Sequence, residues 1–521
     1  MGKRKFLLNS LVGWFLLGAV IKMVFDRRGK ERTSTKVYPQ KNEYLAIDDY
    51  IRSRIKKYMV PGAVIAVVGS KGIVYTRGYG RANDDDEIPS EKTPFFIGSL
   101  TKSFTAFAIM QLVEKGKINL DDRVQKYLPW FKVRDNHASS MIKIRHLLNQ
   151  TSGLPALPGM ANLANFDNHP DALTQQVKNL SSIKLSHPVG SKFEYSNLNY
   201  NVLGLIIEIV SGKTYSEYVK QNILNPLHMD HTYFSKTVAN QNGLALGHRY
   251  WFGNPIPVYN LKSPLGSLPS GQIISCAEDM SHYLLVYLNK GRYLDKHVLS
   301  ETSIEAMHQP GAEIKEMGMD FGHYGMGWVI EGKSKPKIVS HSGIVPDFGA
   351  YMALIPGQKK GLILLFNVNH PLMKLTFDEM GTHATRILTG MPPAPSRLGF
   401  MPWVMRCMPL FFMIPVYDAF ITSRFLYLWD RGLVKFPCNR EFFRQHILLP
   451  LIPNFAVLSA FISTLGKNRG WMNVFMPDFT YGAKVSGYLD MFWLIFRNFL
   501  LFIFYNKYLK PSCISKNQIR G

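Results

Sequence analysis

Ser99 and Lys102 are the first pair of side chains whose types and spacing could do chemistry. They lie three positions apart in the segment FFIGSLTKSFTAFAIMQLVEKGKINLDD, residues 95–122. Residues three apart on a helix are neighbours, about one turn from each other. A lysine at that distance can take the proton of a serine hydroxyl and so activate the serine as a nucleophile. The spacing alone leaves open an N-capping serine beside a surface lysine.

The helix that must hold this pair is apolar on almost every side. Its apolar residues are Phe104, Phe107, Ile109, Met110, Leu112 and Val113. Such a distribution predicts a buried helix, and Gly116 after Lys115 predicts its end. A lysine inside an apolar element is costly unless it is paired, hydrogen-bonded or functional. The unpaired amides at the helix N-terminus would add a partial positive charge beside the serine.

Two later segments place polar residues next to apolar elements. PVGSKFEYSNLNYNVLGLIIEIVSGKTYSEYV has Tyr195-Ser196-Asn197 before an apolar helix that ends at Gly212, and IVSHSGIVPDFGAYMALIP has His341-Ser342-Gly343 before a β-hairpin. Together with S-x-x-K and the flanks KGKINLDDRVQKYLP and LLNQTSGLP, these motifs resemble the serine β-lactamase-like and penicillin-binding family. Within it, the sequence is similar to class C β-lactamases and their peptidase and esterase relatives. The resemblance covers roughly residues 44–390.

The resemblance implies a role for each catalytic position. Ser99 would be acylated, Lys102 would be its proton partner, and Tyr195 would pass the proton to the leaving group and later activate water. Because a free tyrosine has a pKa of about 10, an adjacent ammonium would favour tyrosinate, and the pair would titrate as a unit with either group as formal base. Asn197 would bind the acyl amide of the substrate. Taken singly, Tyr195 could be a buried aromatic and Asn197 an N-cap.

The resemblance also implies a substrate-binding edge at the HSG segment. The backbone amides of Ser99 and Ile344 would form an oxyanion hole, and His341, Ser342 and Gly343 would border the substrate. The ordinary alternative for this segment is the start of a β-strand.

Two positions depart from the family pattern. His341 stands where β-lactamases and many carboxypeptidases have a lysine that helps hold a free substrate carboxylate, and neutral imidazole is a poorer anion site. The HSG form instead resembles esterase, amidase and D-aminopeptidase-like members. We therefore expect an amide or ester preference rather than D,D-carboxypeptidase or strong β-lactamase activity. Gln150 replaces a histidine common in the LLxHTSG segment, which leaves the contacts of that loop open.

The elements around these motifs predict an α/β (α+β) fold. Residues 47–59 have helical spacing, and residues 63–80 form two β runs around a Lys-Gly turn. A second hairpin spans residues 349–369. Hairpins at both ends with helices between them predict one antiparallel β-sheet built from both ends of the domain and flanked by helices, with an all-helical subdomain.

Composition restricts the possible partners. The chain has 521 residues, 46% of them hydrophobic, and a net charge of +24. Its basic residues are scattered and gather mainly beside apolar runs, which favours membrane orientation over nucleic-acid binding. The four cysteines, Cys276, Cys407, Cys438 and Cys513, show no metal-ligand spacing. We expect no cofactor, no metal and no nucleic-acid partner, and the oligomeric state stays open.

Apolar segments at both ends of the chain predict membrane anchoring. Residues 1–28 are interpreted as an uncleaved signal-anchor, with a cleaved signal as the alternative, followed by a linker at 29–43 and the catalytic domain at 44–390. The C-terminal region, 391–521, is predicted to hold about three transmembrane helices, at 401–422, 447–465 and 491–505. The first of these could instead be re-entrant.

Basic residues between and after these spans place both chain termini in the cytoplasm and the catalytic domain outside the cell membrane. Four charged residues near the span ends could pair, reach the interface or form a polar cluster within the membrane: Arg406, Asp418, Asp490 and Arg497. The membrane tail is similar to that of prodrug-activating peptidases of the colibactin-maturing type, which remove an N-acyl-D-asparagine cap.

The favoured function is a membrane-anchored serine hydrolase that acts outside the cytoplasm on an amide or ester bond through an acyl-enzyme. Its substrate would be a small molecule or peptide, such as an N-acylated antibiotic precursor. The alternatives are a penicillin-binding D,D-peptidase and a β-lactam sensor. Such sensors usually carry an H-E-x-x-H motif, which this sequence does not contain. A third alternative is a catalytically idle wall-binding protein.

Overall fold

A nine-stranded antiparallel β-sheet is the centre of the protein. The computed structural model describes residues 33–35, 42–163, 169–316, 319–331, 336–391, 399–433, 449–465 and 470–508. Numbered along the chain, its strands are β1 Thr33–Thr35, β2 Gly62–Gly69, β3 Gly72–Gly80, β4 Phe95–Phe96, β5 His248–Trp251, β6 Asn254–Pro257, β7 Ile274–Ser275, β8 Arg292–Tyr293, β9 Lys296–His297, β10 Ala312–Glu316, β11 Met319–Tyr324, β12 Val329–Ile330, β13 Val339–Val345, β14 Phe348–Ile355, β15 Lys360–Phe366 and β16 Val368–Asn369. The order in the large sheet is β1-β3-β2-β15-β14-β13-β12-β11-β10.

Both predicted hairpins are present. The β2–β3 hairpin pairs Ala63 with Tyr79, and the β14–β15 hairpin pairs Gly349 with Phe366. The two hairpins join where β15 pairs with β2, with Val68 opposite Gly361. The prediction of one sheet made from both ends of the domain is therefore confirmed.

Helices cover both faces of this sheet. In chain order they are α1 Asn42–Tyr58, α2 Thr101–Glu114, α3 Val124–Tyr127, α4 Asn136–Met141, α5 Ile144–Leu148, α6 Ala156–Leu163, α7 Ala172–Lys178, α8 Asn197–Ser211, α9 Tyr215–Val219, α10 Lys236–Gln241, α11 Leu268–Gly271, α12 Ala277–Leu288, α13 Glu301–Met307, α14 Lys374–Leu388, α15 Met401–Phe412, α16 Ile414–Asp430, α17 Leu449–Thr464, α18 Gly470–Phe475 and α19 Pro477–Tyr508. Most of α2 to α11 lies in the long insert between the two hairpins, as the sequence predicts.

The alternation of side chains along β2 divides the core into two layers. Val64, Ala66 and Val68 belong to a large cluster that includes α2, α8 and α12. Ala63, Ile65 and Val67 point to the opposite face, which α1 and α14 cover. Successive strand residues face opposite sides of a sheet, so a strand buried on both faces is apolar throughout. The serine helix α2 is consequently a core element, packed between the sheet and the other helices of the insert.

The C-terminal helices differ from the predicted spans. One helix segment, Pro477–Ile503, is long and apolar enough to cross a membrane, and α15 with α16 passes the same test only as a pair bent by 42°. The apolar segment Leu451–Thr464 is shorter. At about 1.5 Å per residue it falls short of a hydrocarbon core of about 30 Å.

By length and composition, the described helices include one candidate span, or two if the bent pair counts as one, and the number of about three stays a prediction. The prolines of α15 and α16 explain the break, because proline removes a helix hydrogen bond. The helix that contains the last predicted span, 491–505, begins earlier, at Pro477. The predicted anchor at 1–28 lies outside the described residues, as does most of the predicted linker at 29–43.

The C-terminal helices contact the sheet domain through a buried pair. His370 Nε2 lies 3.2 Å from Asp478 Oδ1 at the start of α19, and neither side chain is exposed. His370 Nδ1 accepts from the amide of Leu372, so Nε2 carries the hydrogen and donates to the carboxylate. The second oxygen of Asp478 accepts from the amide of Phe252, after β5. Asp478 therefore ties α19 to two segments of the catalytic domain.

Candidate active site

Ser99 lies in a 3-10 turn, Gly98–Leu100, immediately before α2. The turn depends on Gly98, whose φ is +53° and where an added Cβ would sit 2.5 Å from the amide nitrogen of Ile344. Only glycine allows both this left-handed conformation and so close a backbone approach. The N-cap of α2 is Leu100, with no side-chain cap. The interpretation of Ser99 as an ordinary N-cap is therefore wrong.

Lys102 is fully buried and holds three oxygen atoms around its amine. Its Nζ lies 2.9 Å from Ser99 Oγ, 2.7 Å from Asn197 Oδ1 and 2.7 Å from the backbone oxygen of Ser270. The side chain has no exposed surface. The interpretation of Lys102 as a surface lysine is therefore wrong, and its hydrogen bonds satisfy a group whose burial would otherwise be costly.

Burial lowers the pKa of Lys102 well below its usual value. An ammonium would donate to all three oxygen atoms. A neutral amine has two hydrogens and one lone pair. Asn197 and Ser270 present oxygen acceptors that can take both hydrogens, which leaves the lone pair facing the hydroxyl of Ser99. This arrangement suits proton transfer from serine to lysine.

Tyr195 lies beside the same amine just before α8. Lys102 Nζ is 4.8 Å from the centre of its ring. Burial, reinforced by Tyr324, raises the pKa of Tyr195 well above its usual value, and a hydrogen bond with Ser99 opposes this only in part. The expectation that the lysine would favour tyrosinate is wrong, because burial disfavours the charged form of tyrosine and raises its pKa. Both groups favour their neutral forms, and of the two Lys102 is the better candidate base.

Gln150 positions the start of α8. Its Oε1 accepts from the backbone amide of Ser196 and from Asn199 Nδ2, at 3.0 and 2.5 Å. Ser196 is the N-cap of α8, so Asn197 is the first helical residue and its side chain is left to contact Lys102. The N-cap alternative for Asn197 is wrong. Gln150 replaces a histidine common in the family, and these hydrogen bonds are the contacts that it makes.

His341 is buried on β13 and is held at both ring nitrogens. Nδ1 lies 2.6 Å from the backbone oxygen of Ser342, which can only accept, so Nδ1 carries the hydrogen. Nε2 lies 3.1 Å from the hydroxyl of Tyr324, which donates to it. Burial, with a smaller effect from Lys102, lowers the pKa of His341 to about 3. Position 341 therefore presents a neutral imidazole to the site.

Two backbone amides converge where β13 meets the serine turn. A Cβ on Gly343 would lie 2.0 Å from the oxygen of Ile97 and 3.0 Å from the amide nitrogen of Ser99. Ile344 is equally close to the turn, since its amide nitrogen is the nearest atom to a Cβ on Gly98. β12 pairs with β13 at residues 339 and 340. The later part of the same β13 edge, at Gly343 and Ile344, lies against the serine turn instead. The amide nitrogens of Ser99 and Ile344 therefore lie at the same junction between the serine turn and β13.

The structure brings together all eight positions singled out in the sequence and adds two. Tyr324 ends β11 and contacts both His341 and the ring of Tyr195, whose centroid is 6.1 Å away. Ser270 contributes its backbone oxygen from α11. The segment YGMGW, residues 324–328, could have indicated Tyr324, because its glycines mark a tight turn. Gly327 has a φ of +79° and lies against α2. No sequence signal could have indicated that the backbone oxygen of Ser270 accepts a hydrogen bond from Lys102.

Among the residues that the structure describes, no group of three or more His, Cys, Asp or Glu side chains is arranged to hold a metal ion.

An antiparallel sheet with a buried Ser-x-x-Lys helix on its face, a Tyr-x-Asn loop and an H-S-G strand defines the class of β-lactamases and penicillin-binding proteins. The family model Beta-lactamase matches residues 47–385, which is more than half of the chain. The chain belongs to this family, whose members are typically serine hydrolases that form an acyl-enzyme.

Relatives agree with this assignment. Over 346 residues the chain is 31% identical to Protein flp of Staphylococcus aureus (strain N315), covering 64% of this chain and 65% of that protein. It is 29% identical to Penicillin-binding protein 4* of Bacillus subtilis (strain 168), covering 60% and 69%. The chain thus spans slightly less than two thirds of the length of Protein flp. A solved structure, the octameric penicillin-binding protein homologue from Pyrococcus abyssi, matches with a TM-score of 0.57 and 30% identity, covering 67% of this chain and 78% of that one.

Proposed function

We propose that the protein is a membrane-anchored serine hydrolase that cleaves an amide or ester bond outside the cytoplasm through an acyl-enzyme. The observation that carries the proposal is the set of contacts around Lys102. Its Nζ is 2.9 Å from Ser99 Oγ, while the oxygens of Asn197 and Ser270 occupy its other hydrogen-bonding directions. A buried amine with a lowered pKa can accept the serine proton near neutral pH.

In the proposed first step, Ser99 Oγ attacks the carbonyl carbon of the substrate as its proton moves to Lys102. The carbonyl oxygen becomes negatively charged between the amides of Ser99 and Ile344, which stabilise it. Collapse of this intermediate expels the leaving group, which takes a proton relayed from Lys102 through Tyr195. Water then attacks the acyl-enzyme by the same route in reverse and frees the serine.

His341 supports the preference for amides and esters over substrates with a free carboxylate. Both of its nitrogens are engaged, and the imidazole is neutral because its pKa is about 3. A neutral ring with no hydrogen to spare gives a substrate carboxylate neither charge nor a donor. The relative named Penicillin-binding protein 4* favours the alternative, a penicillin-binding protein. Paired substrates with and without a free carboxylate distinguish a D,D-peptidase of that kind from the proposed amidase or esterase.

The proposed membrane location rests on Pro477–Ile503 and on the charges around the apolar segments. It is tested with single cysteines introduced into the full chain after its four native cysteines have been replaced by serine. A cysteine at Lys71, in the β2–β3 turn, should react with an impermeant thiol reagent on intact cells, whereas one at Lys435 should react only after permeabilisation. The opposite pattern would overturn the orientation.

The acyl-enzyme is tested with a fluorophosphonate probe followed by peptide mass analysis. The probe should label Ser99 in the wild type and leave Ser99→Ala unlabelled. Ser103→Ala is the matched control, because Ser103 lies on the same buried helix and donates to the backbone oxygen of Leu100. Turnover should fall by several orders of magnitude in Ser99→Ala, since linked catalytic groups fail together. Equal labelling of Ser99→Ala would refute the assignment.

A further inference from the structure

The C-terminal helices enclose a group of polar side chains that takes no part in the chemistry of Ser99. Helices α16, α17 and α19 pack together and contribute Asp418, Asn454 and the trio Asp490, Trp493 and Arg497. Residues at 490, 493 and 497 share one face of α19, because they recur at helical spacing. Asp418 is 8% exposed, and Asn454, Asp490 and Arg497 are not exposed at all.

Asp418 has several donors. Its Oδ2 accepts from Trp493 Nε1 at 2.8 Å and from Asn454 Nδ2 at 3.2 Å. Arg497 Nη1 lies 3.7 Å from the same oxygen. One carboxylate and one guanidinium therefore face each other, with two neutral donors that support the carboxylate. This half of the group is balanced in charge.

Asp490 is not balanced in this way. Both of its carboxylate oxygens are buried, and within the described part of the chain neither has a hydrogen-bond partner. The charged group that acts on it is Asp418, and the two repel each other. Asp490 is also the middle residue of Pro477–Ile503, whose 27 residues leave thirteen on either side.

Among the described residues, no cation is paired with Asp490. Besides Asp418, α16 carries two charged residues, Arg424 and Asp430, and both are exposed. The sequences of α17 and α18 contain no charged residue. The one charged residue of α15 is Arg406, whose Nη2 contacts Met59 Sδ of the catalytic domain at 3.3 Å. Strand β5 meets α19 at its first turn, near Asp478. On α19 itself, Lys484 lies six residues before Asp490 and Arg497 seven after it.

We infer that Asp490 is a proton-binding site at the centre of the C-terminal membrane helix. An ionised carboxylate buried without a counter-charge or donors is strongly disfavoured, and such groups take up a proton instead. The proton comes from water and forms an O–H bond on one oxygen of Asp490. Protonation of Asp490 removes the electrostatic repulsion between Asp490 and Asp418. Loss of the proton would therefore favour separation of α16 and α19. The inference rests on the proposed membrane location but not on the chemistry of Ser99.

The experiment uses the full chain in lipid bilayers and the apolar reagent dicyclohexylcarbodiimide. This reagent adds to a protonated carboxyl group in an apolar site, and the adduct rearranges to a stable N-acylurea. Peptide mass analysis should find the adduct on Asp490, in decreasing amount as the pH is raised. Asp490→Asn should lack it. Asp418→Asn, which removes the other carboxylate, should keep the adduct on Asp490.

Infrared spectroscopy provides a second measurement that does not depend on access of the reagent. The wild type should show the C=O stretch of a protonated carboxylic acid, and Asp490→Asn should lose it. The inference is overturned if that band is absent and no adduct forms, or if the adduct is on Asp418. Protection of Asp490 by sodium at constant pH would also overturn it, because the site would then take a metal cation. Fluorophosphonate labelling of Ser99 in every variant reports separately on the catalytic domain.

Discussion

Exchange of His341 for lysine should change which substrate terminus the enzyme prefers. The wild-type imidazole is neutral, and both of its nitrogens are committed to Tyr324 and Ser342. A lysine would place a charged donor at the same edge of β13. A hydrogen bond to a charged group contributes about 1.5–3 kcal/mol, which corresponds to roughly 10- to 150-fold in kcat/KM. Because the site is buried, desolvation of the new ammonium offsets part of this gain, and we expect the lower part of this range.

The assay compares kcat/KM for paired substrates that differ only in a free or an amidated C-terminus. The wild type should favour the amidated substrate or treat both alike, and His341→Lys should shift the ratio toward the free acid. His341→Gln is the matched control, since a neutral side chain should leave the ratio unchanged. A wild-type preference of a hundredfold for the free carboxylate would refute the reasoning, because another cation would then serve the site.

Three further substitutions test the same geometry. Lys102→Met should lose turnover. The free energy of unfolding of the wild type should rise with pH between the lowered and the usual lysine pKa, because there the unfolded chain binds a proton that the folded protein does not. Lys102→Met should lose this part of the rise, which denaturant titrations at several pH values check. Gly343→Ala should reduce kcat by about 100- to 1,000-fold because its Cβ would push the oxygen of Ile97 and displace one oxyanion amide. Gly357→Ala, in open space, should show wild-type steady-state kinetics. Tyr324→Phe should lower stability by about 1–3 kcal/mol by leaving an imidazole nitrogen without its donor, and nitrogen NMR should show an altered tautomer balance. An unchanged spectrum would contradict that role.

The sequence is sufficient to predict the central sheet and the identity of the motif residues. The hairpins at 63–80 and 349–369 have strong local signals, and their pairing follows from the need to bury two apolar runs. The S-x-x-K, Y-S-N and H-S-G motifs indicate the site because all three occur in order and with their flanks, although each alone is a weak signal.

Properties that depend on tertiary packing were not predictable in the same way. The direction of the Tyr195 pKa was mistaken because the family resemblance implies proximity to Lys102 but does not reveal complete desolvation. Tyr324 was missed because its partner, His341, comes from a different strand. The 42° bend between α15 and α16 was not predictable from hydropathy, which does not report where Pro409 and Pro415 bend a helix.

The join between the two hairpins has a consequence for synthesis and folding. Strand β2 is almost completely apolar, and its neighbour β15 pairs Gly361 with Val68, about 290 residues earlier in the chain. Until that distant strand emerges, one edge of β2 has no partner, and an apolar strand edge in a nascent chain is prone to aggregate. The serine helix depends on the same sheet for its burial. Assembly of the catalytic lysine therefore has to wait for nearly the whole domain to be made, and long-range pairing of this kind is slow. A ribosome-stalled chain that ends before β15 should accordingly bind holdase chaperones and show no Ser99 labelling.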